Sequence, residues 1–183
     1  RHKMAFISGP RQIGKTTLSK MIMNNYTQAS YHNWDESSFR KLWTKSPNML
    51  ETFFNFSDKK GNLLLVLDEI HKSKSWKQKL KGVYDHLGDM LSIIVTGSAR
   101  LNVYRRGGDS LMGRYLHFRL HTFSVAEALQ ISPRSPEQFF NIAFSNKFQD
   151  FKAQATVEKL MNFSGFPEPF LEGNRQILNI WRQ

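Results

Sequence analysis

The run Gly9-Pro10-Arg11-Gln12-Ile13-Gly14-Lys15-Thr16 carries glycines five positions apart, followed at once by a lysine and a hydroxyl. This is the full pattern G-x-x-x-x-G-K-[ST], and its chemistry is that of holding phosphate. Glycine lets the backbone curl so that successive N–H groups face an anion. A helix starting behind the loop adds its positive end. In such a loop Lys15 reaches the β- and γ-phosphates and the Thr16 hydroxyl ligates Mg²⁺, with Thr17 continuing the phosphate-binding stretch. A glycine-rich turn without a ligand is the plainer reading. The context speaks against it, since a strand pattern precedes the loop and a helix pattern follows.

Asp68 and Glu69 close the apolar run at residues 63–67. A strand of that kind delivers two carboxylates to the edge of a sheet where α/β proteins bind ligands. Asp68 suits a magnesium ion, directly or through water, and Glu69 suits accepting a proton from an attacking water or orienting it. The competing reading is an acidic pair that caps the next helix.

Thr96-Gly97-Ser98 ends a third apolar run. A hydroxyl there can lie beside a γ-phosphate and orient the lytic water; Thr96 and Ser98 are both candidates. Turn chemistry at Gly97 explains the same residues without function. Phosphoryl transfer also builds charge that an arginine can stabilise. Arg100, Arg105, Arg106 and Arg114 follow the third run, with Gly107-Gly108 as a break among them. Arg114, between Gly113 and an incoming strand, is the best placed. His71 follows the acidic pair, where a lone histidine is more often a hydrogen-bonder than a catalyst. His2, His32, His86, His117 and His121 have no metal-ligand spacing, which argues against zinc.

These residues need elements to hold them. Residues 3–8 read as a buried strand and residues 31–34 as a second, closing at Asp35. Leu18, Met21 and Ile22 fall at helical spacing behind the loop. Residues 37–56 look largely helical with an interruption near Ser46-Pro47. Gly61-Asn62 reads as a turn before the run at 63–67, whose continuous apolar character marks a strand buried on both faces. Residues 75–87 form an amphipathic pattern, with Lys74, Lys77 and Lys81 on its polar side. Residues 91–95 and 115–120 complete five strands. Alternating strands and helices predict a doubly wound α/β layer. After Pro133 the pattern turns helical and aromatic, with Phe139, Phe140, Phe144, Phe148 and Phe151. The organisation expected is an α/β nucleotide-binding core over 1–132 and a truncated helical lid over 133–183.

The 183 residues contain no cysteine, which excludes a disulfide framework and thiolate zinc sites. No apolar run approaches the ~20 residues of a membrane span. A formal net charge of +11 favours anionic partners, whether nucleotide, nucleic acid or an acidic protein surface. Position 1 is arginine, and the chain reads as a fragment of a longer cytoplasmic protein.

The order Gly-Pro-Arg-Gln-x-Gly-Lys-Thr-Thr-Leu, then Leu-Asp-Glu-Ile-His-Lys with Trp76 downstream, then Val-Thr-Gly-Ser resembles the AAA-like ATPases of the AAA+ superfamily. Among them it is similar to the prokaryotic predicted ATP-binding proteins, in the branch often fused to a C-terminal domain of unknown function. Leu111-Met112-Gly113-Arg114-Tyr115, Phe123-Ser124-Val125-Ala126-Glu127 and Gly165-Phe166-Pro167-Glu168-Pro169-Phe170 resemble later blocks of that branch. The likeness implies a P-loop NTPase sheet of ASCE type, with an extra strand between the Lys15 and Asp68 strands, and a helical lid. It also implies ATP and Mg²⁺ as cofactors, Asp68 and Glu69 as the Walker B pair, Thr96 or Ser98 as a sensor, and Arg114 as an arginine finger. A homo-oligomer and a C-terminal effector domain beyond Gln183 follow from the same likeness. Against that likeness, the chain starts at the first strand without the N-terminal element usual in the family, and no second-sensor arginine is evident in the lid, where Arg175 and Arg182 are candidates.

The function expected is an ATPase acting as a motor or switch for a partner domain or subunit. A DExH-like helicase fragment is one alternative: Asp68-Glu69-Ile70-His71 fits its box and Ser98-Ala99 its Ser-Ala motif. The chain is too short for the second lobe such helicases need. A nucleotide-gated interaction module with little turnover is another. A P-loop kinase is the weakest, because an Asp-Glu pair suits water activation better.

Overall fold

Six consecutive buried residues form β3 (Leu63–Asp68), an interior strand of the sheet. Side chains alternate across a strand, and here the alternation feeds two separate cores. Leu63, Leu65 and Leu67 pack in one cluster with Phe6, Phe39, Trp43, Leu80, Leu87 and Val95. Leu64 and Val66 pack in the other with Ile7 and Ile94, against Leu18 and Ile22. A strand buried on both faces must read as a continuous apolar run, and this one does. Truncating fully buried Leu65 to alanine would cost about 2–5 kcal/mol.

The computed structural model describes residues 3–56, 62–98, 111–131, 135 and 151–183. Around β3 lie β1 (Met4–Ser8), β2 (Gln28–Asn33), β4 (Ser92–Gly97) and β5 (Tyr115–Arg119). All pairs are parallel, in the order β2-β3-β4-β1-β5. The fold is therefore the five-stranded parallel P-loop sheet expected, with β4 inserted between the loop-bearing β1 and the acid-bearing β3. Helix α1 (Lys15–Met23) supplies Leu18 and Ile22 to one core. Helices α2 (Ser37–Lys45) and α3 (Trp76–Leu87) supply Phe39, Trp43, Leu80 and Leu87 to the other.

β2 starts earlier than its sequence suggests. Gln28-Ala-Ser carries no apolar alternation, yet the ladder runs from Gln28 opposite Leu63 to Asn33 opposite Asp68. Backbone pairing to a buried neighbour outweighs the weak strand propensity. The interruption in residues 37–56 falls at Pro47, which opens a 3₁₀ helix (Pro47–Phe53). Proline has no N–H to donate, so it can start a helical turn but not continue one.

The chain divides into two compact units, Arg1–Leu120 and His121–Gln183. Within the second unit, α4 (Val125–Ala128) begins with a capping box in which Ser124 and Glu127 bond each other's backbone N–H. Those bonds to Ser124 hold the Glu127 carboxyl below its ordinary pKa. Helices α5 (Phe151–Phe163), α6 (Pro167–Glu172) and α7 (Arg175–Trp181) follow. Phe123 meets Phe170 edge-on at 5.5 Å, and its N–H donates to the Gly165 carbonyl. Gly173 ends α6 with φ 58°, a left-handed cap that glycine adopts without cost.

The boundary expected at 132/133 lies outside the described residues. So do His2, Gly61, Arg100, Arg105, Arg106, Gly107, Gly108, Phe139, Phe140, Phe144 and Phe148. Among the described residues, no helix is long and apolar enough to cross a membrane.

Candidate functional site

β1 ends at Ser8, and the chain turns directly into the glycine loop. A Cβ on Gly9 would lie 2.6 Å from the Leu120 carbonyl oxygen, a backbone atom that cannot step aside, so only glycine fits. Gln12 at φ 60° and Gly14 at φ 94° are both left-handed, and they curl the loop between β1 and α1. For Gln12 that conformation costs about 1–3 kcal/mol, strain of the kind that collects at ligand clamps. Ile13 is buried.

Helix α1 then begins at Lys15 with no side-chain cap and no acidic residue in its first turn. Its first N–H groups have no partner within the helix, and they favour an anion. The Lys15 side chain is buried, and its Nζ donates to the Gly9 carbonyl at 3.1 Å and the Pro10 carbonyl at 2.6 Å. Burial lowers its pKa, opposed by the charges of Glu69 and Asp68 and aided by Arg11. The ammonium thus sits within the loop, held by two backbone carbonyls. Pro10, Arg11 and Gln12 form the exposed rim, and Thr17 is exposed on the first turn of α1.

Asp68 is 3% exposed and collects hydroxyl donors from three elements. Thr16 on α1 donates to Oδ2 at 2.9 Å, Tyr31 on β2 donates to the same oxygen at 2.5 Å, and Thr96 on β4 donates to Oδ1. A buried carboxylate left unpaired is costly, and these donors compensate it. In giving its proton to Asp68, the Thr16 oxygen keeps its lone pairs for a cation. Burial, with the Asp68 carboxylate adding to it, raises the pKa of the Tyr31 phenol, which stays a donor.

Glu69 has φ 57°, unusual for a residue with a Cβ, and its N–H donates to the Thr96 carbonyl at 3.0 Å. Its Oε2 lies 3.7 Å from His71 Nε2 and 3.8 Å from Lys72 Nζ, both in the 3₁₀ turn Ile70–Lys72 that follows. Lys72 is held in turn by Asp35, at 2.7 Å. His71 Nε2 also meets Ser98 Oγ at 3.2 Å, while its Nδ1 is buried without a hydrogen-bond partner among the described residues. Burial lowers the His71 pKa despite the nearby Glu69 carboxylate. Thr96 and Ser98, equivalent in the sequence, therefore take different partners: Thr96 serves Asp68, and Ser98 meets His71.

Arg114 is not brought to the loop within one chain. Its carbonyl accepts from the Met4 N–H at 2.9 Å, which fixes it at the start of β1, and its Nε meets Asp85 Oδ1 at 3.3 Å. The loop leaves the other end of that strand, about 13 Å away at the usual rise per residue. At the loop's own edge, β5 places Arg119 opposite Ser8. Sequence reasoning passed over Arg119, because the register of β5 on β1 decides which of its ends meets the loop. It also passed over Tyr31. The signal available was a tyrosine near the end of a strand flanking the acidic one.

The donor set fits Mg²⁺. Thr16 and Asp68 are hard oxygen groups beside a phosphate loop, and Mg²⁺ uses one or two such groups plus phosphates and retained water. No cage of three or more acidic, histidine or cysteine ligands occurs among the described residues, and this mode of binding needs none.

A family model described as AAA domain matches residues 1–129. No curated protein matches the chain. Among solved structures, that of C. elegans PCH-2 is 15% identical with a TM-score of 0.45, over 98% of this chain and 61% of that one. The structure of the Aeropyrum pernix ORC1 protein in complex with DNA is 13% identical with a TM-score of 0.48, over 100% of this chain and 59% of that one. The chain spans about three fifths of the length of these solved chains.

Proposed function

The chain belongs to the AAA domain family of P-loop ATPases, and from that premise we propose that it binds ATP with Mg²⁺ and hydrolyses it to drive a motion in a partner domain or subunit. The observation that carries this reading is the convergence of Thr16, Tyr31 and Thr96 on buried Asp68, beside a loop that already holds the Lys15 ammonium.

In this reading the loop N–H groups of residues 9–16 and the α1 terminus bind the phosphates, and Lys15 leaves the Gly9 and Pro10 carbonyls for the β- and γ-oxygens. Thr16 and Asp68 would hold the cation, which when bound would neutralise charge on the phosphates. Glu69 takes the proton as water attacks the γ-phosphorus and the bond to the β-phosphate oxygen breaks. General-base help of this kind is worth about 10²–10⁴-fold in rate. Thr96 keeps Asp68 oriented, and Ser98 with His71 lies where the state of Glu69 can be sensed. Arg114, paired with Asp85 at the opposite sheet edge, serves as an arginine finger only towards a neighbouring subunit. The second unit acts as a helical lid.

The position of Glu69 favours a second reading, a nucleotide-gated module with little turnover. Its carboxylate rests against its own turn, near His71 and Lys72. Steady-state ATP turnover with Mg²⁺ and with chelator, in wild type and in Glu69→Gln, separates the two. Turnover that needs Mg²⁺ and Glu69 supports hydrolysis. Tight ATP binding with no turnover in wild type supports gating.

A further inference from the structure

We propose that Tyr31 sets the cation selectivity of the phosphate site, restricting Asp68 to contact through a cation-bound water and so favouring Mg²⁺ over Ca²⁺. The inference rests on the ATP–Mg²⁺ reading above and deepens it.

A carboxylate offers about four lone-pair sites. In Asp68, Oδ2 accepts from both Thr16 and Tyr31, and Oδ1 accepts from Thr96. That leaves about one acceptor position, on Oδ1. Mg²⁺ dehydrates reluctantly and keeps several waters, so a single free lone pair is enough to accept a proton from one of them. Ca²⁺ takes about six to eight oxygen ligands and draws carboxylates in directly, often with both oxygens. It would need Oδ2, where the phenol already sits.

Tyr31 is built to stay there. Its ring packs in the core beneath α1 with Leu64, Val66 and Ile94, and Lys20 lies over its face at 5.4 Å from the centroid. Its backbone is fixed by the β2–β3 ladder opposite Val66. The hydroxyl reaches the site from a rigid base, unlike a surface side chain that could swing away. Thr16 cannot fill the same role, because its oxygen belongs to the cation site itself. Tyr31 is thus a positioning residue: it acts on the cation through Asp68.

The test uses Tyr31→Phe, which removes the hydroxyl and keeps the ring, and Tyr31→Met as a second donor-free variant should the first not fold. The affinity of each for a fluorescent ATP analogue is measured with EDTA, with Mg²⁺ and with Ca²⁺. Affinity in EDTA should match wild type within about twofold, while the ratio of Ca²⁺-supported to Mg²⁺-supported affinity rises about ten- to hundredfold, the scale of one hydrogen bond to a charged group. An unchanged ratio, or one that moves towards Mg²⁺, overturns the role of Tyr31. Wild-type protein that binds no nucleotide in any of the three conditions rejects the ATP reading itself, and the selectivity inference falls with it.

Discussion

Thr96 and Asp68 are register partners on neighbouring parallel strands, and the Thr96 hydroxyl donates to Asp68 Oδ1 across the β3–β4 ladder. The bond joins the inserted strand to the Asp68 carboxylate inside the core, where both residues are almost fully buried. Thr96→Val keeps the shape and removes the donor. It should lower stability by about 1–3 kcal/mol in urea unfolding, because it leaves a buried charge short of a partner. Thr96→Ser, which keeps the hydroxyl and drops the methyl, should lose less, and undiminished stability in Thr96→Val would show that the hydroxyl contributes nothing.

Lys15→Ala should abolish ATP binding while leaving thermal unfolding unchanged or slightly raised. The ammonium is buried against its own preference, so removing it does not weaken the fold. Isothermal titration checks the first half, and undiminished affinity would reject the assignment of Lys15 to phosphate.

Glu69→Gln should retain ATP binding and lose about 10²–10⁴-fold in turnover. Glutamine keeps the size and polarity of the side chain and cannot take a proton. Wild-type turnover in this variant would remove Glu69 from the chemistry.

Acidification should destabilise the first unit. His32 and His71 are both held below their ordinary pKa of 6.5 by burial, so the folded state binds fewer protons than the unfolded one. The stability they contribute is present above about pH 6.5 and is lost as pH falls through their folded pKa values. Chemical denaturation between pH 7.5 and 5 should show this slope, and a double variant His32→Gln with His71→Gln should flatten it.

Arg114→Ala should cost the fold about 0–1 kcal/mol, since its pair with Asp85 is partly exposed. If Arg114 acts on a neighbouring subunit, Arg114→Ala protein should regain part of its turnover when mixed with an inactive Lys15→Ala variant that still carries the arginine. No regain in mixed samples would count against it.

The phosphate loop, β3 with its acidic end, β4 and α3 were legible in the sequence because each carries a local signal: glycine spacing, an unbroken apolar run, or helical periodicity. β2 was only half legible, since Gln28-Ala-Ser becomes strand through pairing with β3. The role of Tyr31 depends on that same pairing. Arg114 stood out for its neighbours Gly113 and Tyr115, but the direction and register of β5 put Arg119 at the loop's edge instead. The left-handed backbone of Glu69 had no signal at all, because glutamate does not ordinarily adopt it.

Gly9 has a genetic consequence. Every nonsynonymous single-base change in a glycine codon yields a stop or a residue with a Cβ, and that carbon would strike the Leu120 carbonyl. Position 9 should therefore tolerate synonymous change alone, and a saturation library under selection for nucleotide binding should return glycine there in all its codons.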